Sequence, residues 1–151
     1  MRFCFDKAAC QNTRRALRKE WLLTNGLGDY SSSSILYCNT RKYHGLLVAA
    51  SPSGRQVLLS AMEESVAGGG KEFFISTRQH PNTLYPQGHQ YLEDMTLDPW
   101  PQFTYRVGDV RIIREIIMEN GKTRLLIRWK VEGTGRENQS IPPKLELRVK
   151  P

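Results

Sequence analysis

The sequence predicts an all-β fold, an antiparallel β-sandwich with one short N-terminal helical segment. Three observations carry that prediction. Apolar and polar residues alternate with a period of two over 103–107, 123–131 and 145–149, as strands that bury one face do. Turn residues recur at short intervals, and Asn120-Gly121 is the strongest hairpin signal among them. Helical character is confined to one stretch, 13–19. The pattern resolves into at least eight short strands, which is sandwich patterning.

Each element has its own reason. Phe3 and Phe5 alternate with Cys4 and Asp6, so a short first strand is expected. Residues 13–19 suit one or two helical turns, with Thr13 as the cap and Ala16, Leu17 and the arginines as helix formers. The apolar run 21–23 follows. Residues 24–34 are small, polar and Gly-rich, which predicts a loop too weakly anchored to order without neighbours. Residues 46–50 are a strand, 51–54 a turn, and 57–66 begins as the second strand of that hairpin. Gly68-Gly69-Gly70 is a turn. It is not a phosphate-binding P-loop, because Ser65 stands where the first glycine belongs and Glu72 follows Lys71.

Residues 71–77 form a strand with Phe73 and Ile75 on one face. The stretch 78–90 holds Pro81, Pro86, Gly88, His80 and His89, and reads as a long irregular loop. Residues 93–97 form a strand closed by Asp98-Pro99-Trp100-Pro101. Phe103, Tyr105 and Val107 then face one way, Thr104 and Arg106 the other. Residues 110–118 are apolar on both faces except for Arg111, Arg114 and Glu115, as in a central strand. Beyond the hairpin turn, Thr123, Leu125, Ile127, Trp129 and Val131 share a face. Residues 133–143 are a loop, and Leu145, Leu147 and Val149 form the last strand.

A chain of 151 residues is expected to be one domain, 1–151, with a core of its own. Hydrophobic residues at 39% and charged ones at 25% are ordinary for a soluble globular protein. No apolar run approaches the ~20 residues of a membrane span, and no apolar segment marks a secretory signal, so no membrane partner is expected. Cys4, Cys10 and Cys38 are odd in number and lack metal-ligand spacing. They read as reduced thiols of a cytoplasmic protein, in which the Asn138-Gln139-Ser140 sequon has no role. The net charge of +7 comes from 22 basic and 15 acidic residues spread along the chain. Only Arg14-Arg15 with Arg18-Lys19 clusters, so a solvated face is expected rather than a nucleic-acid partner.

Glycoside hydrolysis needs two carboxylates flanking the scissile bond. Glu20, Asp29, Glu63, Glu64, Glu93, Asp94 and Asp98 are the candidates, and each reads as a surface carboxylate. Glu63-Glu64 and Glu93-Asp94 are chain neighbours, so on strands their side chains point to opposite faces. His44, His80 and His89 have no metal spacing, and no serine sits in a nucleophile elbow. No catalytic residue and no cofactor is therefore expected. Sugar binding fits the residue types better: aromatic rings cover C–H faces, and Arg, Asn and His bond hydroxyls. Asn39-Thr40-Arg41-Lys42-Tyr43-His44-Gly45 places such side chains directly before a strand that holds them. Asn39, Arg41, Tyr43, His44, Tyr30 and Trp100 are the candidate substrate-binding residues. For Arg41, Tyr43 and His44 a buried polar network bracing the loop is an equal alternative. Trp129, in an inward stripe, reads as core, and Trp21 has the same default.

Two motifs in order, Glu20-Trp21-Leu22-Leu23-Thr24-Asn25-Gly26-Leu27-Gly28 and Asn39-Thr40-Arg41-Lys42-Tyr43-His44-Gly45-Leu46-Leu47-Val48-Ala49-Ala50, resemble the N-terminal domain of the prokaryotic glycogen debranching enzymes of the amylo-alpha-1,6-glucosidase type. The likeness extends more weakly through Pro86-Gln87-Gly88-His89 to Leu145-Glu146-Leu147-Arg148. This chain departs from the family at Asp29, where a third glycine is usual, at Ser32 to Ser34, where small residues are usual, and after Arg148. The resemblance implies a supersandwich-like β-domain ahead of an (α/α)6 barrel that carries the catalytic carboxylates. Its implied partners are that barrel and an alpha-glucan, glycogen or limit dextrin. This chain would brace the barrel and line the glucan cleft without hydrolysing anything itself. A free-standing carbohydrate-binding or protein-interaction module is the alternative, and a barrel-sized downstream reading frame would decide between them. A docked domain would carry an apolar or aromatic patch, expected near the 25–44 loops and Trp100.

Overall fold

The computed structural model describes residues 3–133 and 145–151. Antiparallel strands dominate it, as the alternation predicts. One layer is a five-stranded sheet in the order β1 (Phe3–Phe5), β10 (Leu92–Leu97), β11 (Pro101–Val107), β12 (Val110–Met118), β13 (Leu125–Gly133). Against it lie a four-stranded sheet, β2 (Glu20–Thr24), β3 (Tyr30–Ser34), β4 (Gly45–Ser51) and β5 (Gly54–Leu59), and a three-stranded one, β14 (Glu146–Lys150), β6 (Glu63–Gly68) and β7 (Lys71–Phe74). Trp21 of β2 meets Phe103 of β11 edge-on, 6.2 Å between ring centres, which is one seam of the sandwich.

The period-two stripes of 103–107 and 125–131 land inside, while in the 145–149 stripe Leu145 and Leu147 pack against the core and Val149 is exposed. Phe103, Tyr105 and Val107 are buried, as are Ile112 and Ile116. Leu125, Ile127, Trp129 and Val131 pack against that core from β13, an end strand of its sheet. The β12–β13 hairpin pairs Val110 with Gly133 through Met118 with Leu125 in unbroken register, and its turn contains Gly121 at φ 75°. β12 is central, between β11 and β13, as its two-sided apolar pattern requires.

Four expectations are corrected. First, the helix at the N-terminus is two short helices, α1 (Lys7–Gln11) and α2 (Thr13–Ala16). Asp6 caps the first by accepting from the Ala9 N–H, and Asn12, not Thr13, caps the second by accepting from the Arg15 N–H. Second, residues 24–34 are not one loop. Only the turn between β2 and β3 is, because Ser31 to Ser34 lie in β3, paired to β2 on one side and to β4 on the other, and buried. Two of their hydroxyls are used locally: Ser32 donates to the Trp21 carbonyl and Ser33 to Asn39. Third, 57–66 splits at 60–62, since β5 closes the four-stranded sheet and β6 enters the three-stranded one. Fourth, 78–90 is structured. β8 (Thr77–His80) and β9 (Thr83–Gln87) form a two-stranded hairpin, and a 3-10 turn (Gly88–Tyr91) follows. The expected 133–143 loop and the Asn138 sequon fall outside the described residues, except for Gly133, which ends β13.

The cysteines are free thiols: Cys4 exposed, Cys10 and Cys38 buried. Burial pushes the Cys10 thiol up to about 12 and the Cys38 thiol to about 11, so both stay protonated.

Candidate functional site

The segment 39–44 crosses between β3 and β4 and is built around Glu20, the first residue of β2. Arg41 Nε donates to the Glu20 carboxylate, and His44 Nε2 lies 3.5 Å from the same oxygen. His44 Nδ1 accepts the Thr40 N–H at 3.1 Å, which leaves the ring proton on Nε2, toward Glu20. The His44 N–H closes the turn onto the Arg41 carbonyl. Burial pushes the His44 pKa below its ordinary value, against the opposing pull of Glu20, so the ring is neutral at pH 7.

Each candidate residue has a defined place. Asn39 accepts from Ser33 Oγ at 2.8 Å and donates to the Ser60 carbonyl at 2.9 Å. His44 is buried, whereas Tyr43 is 45% exposed and the Arg41 side chain 67% exposed. Tyr30 of β3 donates from its hydroxyl to the Tyr43 carbonyl at 2.9 Å, with the Arg55 guanidinium 5.0 Å over its ring. Arg41 and His44 meet at Glu20 and Tyr30 bonds the Tyr43 backbone, so these four cluster, with only Arg41 and Tyr43 exposed, while Asn39 joins the neighbouring strands. Trp100 stands apart: its indole N–H reaches Glu115 on β12 at 3.4 Å, and its ring is half-buried. Among the described residues no hydrogen bond or ring contact joins it to the other five.

The sheet beneath this cluster has an outer face. Register places Leu22 opposite Ser32 and Ser32 opposite Gly45, and it places Thr24, Tyr30, Val48 and Val57 in a second row. Trp21 and Leu23 point the other way, into the core. Leu22 is 58% exposed and Val57 39% exposed. A Cβ on Gly45 would come within 3.0 Å of Val48 and 3.1 Å of Val57, so only glycine lets these two side chains pack over the backbone there.

The Gly-rich turn is tied down from the opposite layer. Asp29 accepts from the Ala50 N–H at 2.8 Å, Asn25 Nδ2 at 2.7 Å and Thr123 Oγ1 at 2.5 Å. Thr123 first, then Ala50, hold its carboxyl below the ordinary range. Asn25 donates also to the Lys122 carbonyl, and its own carbonyl accepts the Gly121 N–H at 2.7 Å. The β2–β3 and β12–β13 turns are thereby one unit.

Two carboxylates expected at the surface are buried, Asp29 and Glu64. Glu64 of β6 receives Arg114 of β12 across the sandwich, both side chains fully buried. Arg114 donates in addition to the Tyr105 hydroxyl, and its guanidinium lies 3.4 Å from the Tyr37 ring centre and 4.7 Å from that of Phe103. Tyr37 reaches it from a left-handed backbone, φ 55°, which an aromatic residue adopts only when the surroundings demand it. Burial works against the Arg114 charge, but Glu64 together with Tyr105 and Tyr37 outweighs it and the pKa rises. The cluster has no solvent access and is a structural pin, not a reaction site. Its sequence signal was the parity of Arg114 between Ile112 and Ile116. The neighbouring carboxylates do point apart, because Glu63 pairs with Arg78 at 3.4 Å on the outside. Arg106 holds Glu93 at 2.6 Å, and Thr104 holds Asp94 at 3.0 Å.

A family model described as glycogen debranching enzyme N terminal matches residues 19–151. Comparison with curated proteins gave no match, and neither did comparison with solved structures.

Proposed function

The chain belongs to the glycogen debranching enzyme N-terminal family, and on that premise we propose that it is the non-catalytic domain of a debranching enzyme. In this reading the outer face of the β2–β5 sheet packs on an (α/α)6 catalytic barrel. The 39–44 segment borders the cleft in which the parent enzyme hydrolyses alpha-1,6 branch points of glycogen or limit dextrin. The observation that carries the reading is the pair of exposed apolar side chains on that face, Leu22 on β2 and Val57 on β5, with exposed Tyr43 and the charged Glu20–Arg41 pair on the adjoining segment. Exposed Arg41 and Tyr43 are the residues free to touch a glucan. Asn39 and His44 hold the loop in shape, Asn39 through Ser33 and Ser60 on the flanking segments and His44 through the Thr40 N–H.

A loop mobile without its partner was a further argument for docking, and β3 removes it, because Ser31 to Ser34 order against their own sheet. That observation favours the second reading, a free-standing carbohydrate-binding or protein-interaction module, whose site loop would need no neighbour. The test is glucose release from a branched limit dextrin by the pure chain. None is expected. Turnover that disappears when one carboxylate is changed to its amide would overturn the non-catalytic assignment.

A further inference from the structure

A cleft of about 550 Å3 opens between α2 and the β8–β9 hairpin, outside the surface just described. Arg14 enters it from the helix, Gln79, His80 and Asn82 from the hairpin, and Gln87 and His89 from its far end. Among the described residues no aspartate or glutamate lines it. Among the described residues no carboxylate pairs with Arg14, so its charge faces the cleft and solvent.

The floor of the cleft is built. Gly88 presses on the chain at Ile75 and Ser76 and donates its N–H to the Ser76 carbonyl at 2.9 Å. The His89 N–H donates to Thr77 Oγ1 at 2.8 Å, and the His89 carbonyl accepts from Gln11 Nε2 at 2.8 Å. These bonds fix the backbone beneath the His89 ring. That ring is only 7% exposed, and its Nδ1 has no hydrogen-bond partner. A buried polar nitrogen without a partner is costly unless something supplies the missing bond. Burial also pushes the His89 pKa down, so the ring is neutral and can either donate or accept.

We propose that this cleft binds a phosphate monoester of a sugar or similar small polyol. A guanidinium with no carboxylate in the lining selects an anion, and a phosphate suits its planar fork. Gln79, Asn82 and Gln87 supply amides, which donate and accept as a ring of hydroxyls requires. The volume falls in the range of small-molecule sites, about 300–1,000 Å3. This assignment does not depend on the docking proposal, since the cleft uses α2 and the β8–β9 hairpin and none of the β2–β5 face.

The test is a backbone amide NMR titration of the 151-residue chain with glucose 6-phosphate, with glucose and with inorganic phosphate in separate arms. Saturable shifts at Arg14, Asn82 and His89 are expected with the ester, at least about tenfold tighter than with glucose or phosphate alone. Arg14→Ala should weaken the ester about tenfold, while Arg15→Ala, one residue along and outside the lining, should change it less than twofold. No saturable shift, or equal weakening by both variants, would overturn the site. An ester no tighter than inorganic phosphate would overturn the polyol part of the assignment.

Discussion

Arg114→Ala lowers the free energy of unfolding by about 3–5 kcal/mol, because it strands the Glu64 carboxylate in the interior without its partner. The aromatic rings around the guanidinium add to the loss, since Tyr37, Phe103 and Tyr105 are left facing a void. A buried ion pair is not intrinsically more stable than good apolar packing, so the double variant Glu64→Leu/Arg114→Met should recover most of the single-variant loss. Equilibrium denaturation of the single and double variants measures both numbers. A loss below about 1 kcal/mol for Arg114→Ala would mean that the pair does not hold the two layers together.

Gly88→Ala is expected to destabilise by about 3 kcal/mol or more. A Cβ there would stand 2.2 Å from the Ile75 carbonyl carbon and 2.5 Å from the Ser76 oxygen. Both are backbone atoms, which cannot swing aside as a side-chain tip does. Gly70→Ala is the control. It has open space around the added methyl and only the positive φ of 75° to resist it, a penalty of about 1–2 kcal/mol. Thermal melts that put the two variants level would refute the close approach of 88 to 75–76.

The stripes over 103–107, 110–118 and 123–131 are long enough for period two to identify strand, face and neighbour, and the layer they form was legible from sequence. What misled lay in short elements whose residues favour turns in isolation. Ser31 to Ser34 have loop chemistry, yet two flanking strands impose pairing on them, and the Ser32 hydroxyl bonds across to β2. The two prolines of 78–90 suggested an irregular chain, but Pro81 sits in the hairpin turn and Pro86 lies in β9 of a sheet with only two strands. At the candidate site, the segment before β4 was legible as a unit, and its split into bracing and exposed residues was not. That split depends on Glu20, distant in sequence, which binds both Arg41 and His44. Arg114 was legible only as an odd charge in an apolar strand. Its partner Glu64 lies 50 residues away, beyond any local pattern.

The docking face of the β2–β5 sheet is the central claim, and calorimetric titration of the chain with the (α/α)6 barrel domain of a debranching enzyme from the same organism tests it most directly. Saturable binding is predicted, weakened at least about tenfold by Leu22→Asp, a change at an exposed position that leaves the core untouched. Absence of binding, or binding that Leu22→Asp leaves unchanged, would contradict it.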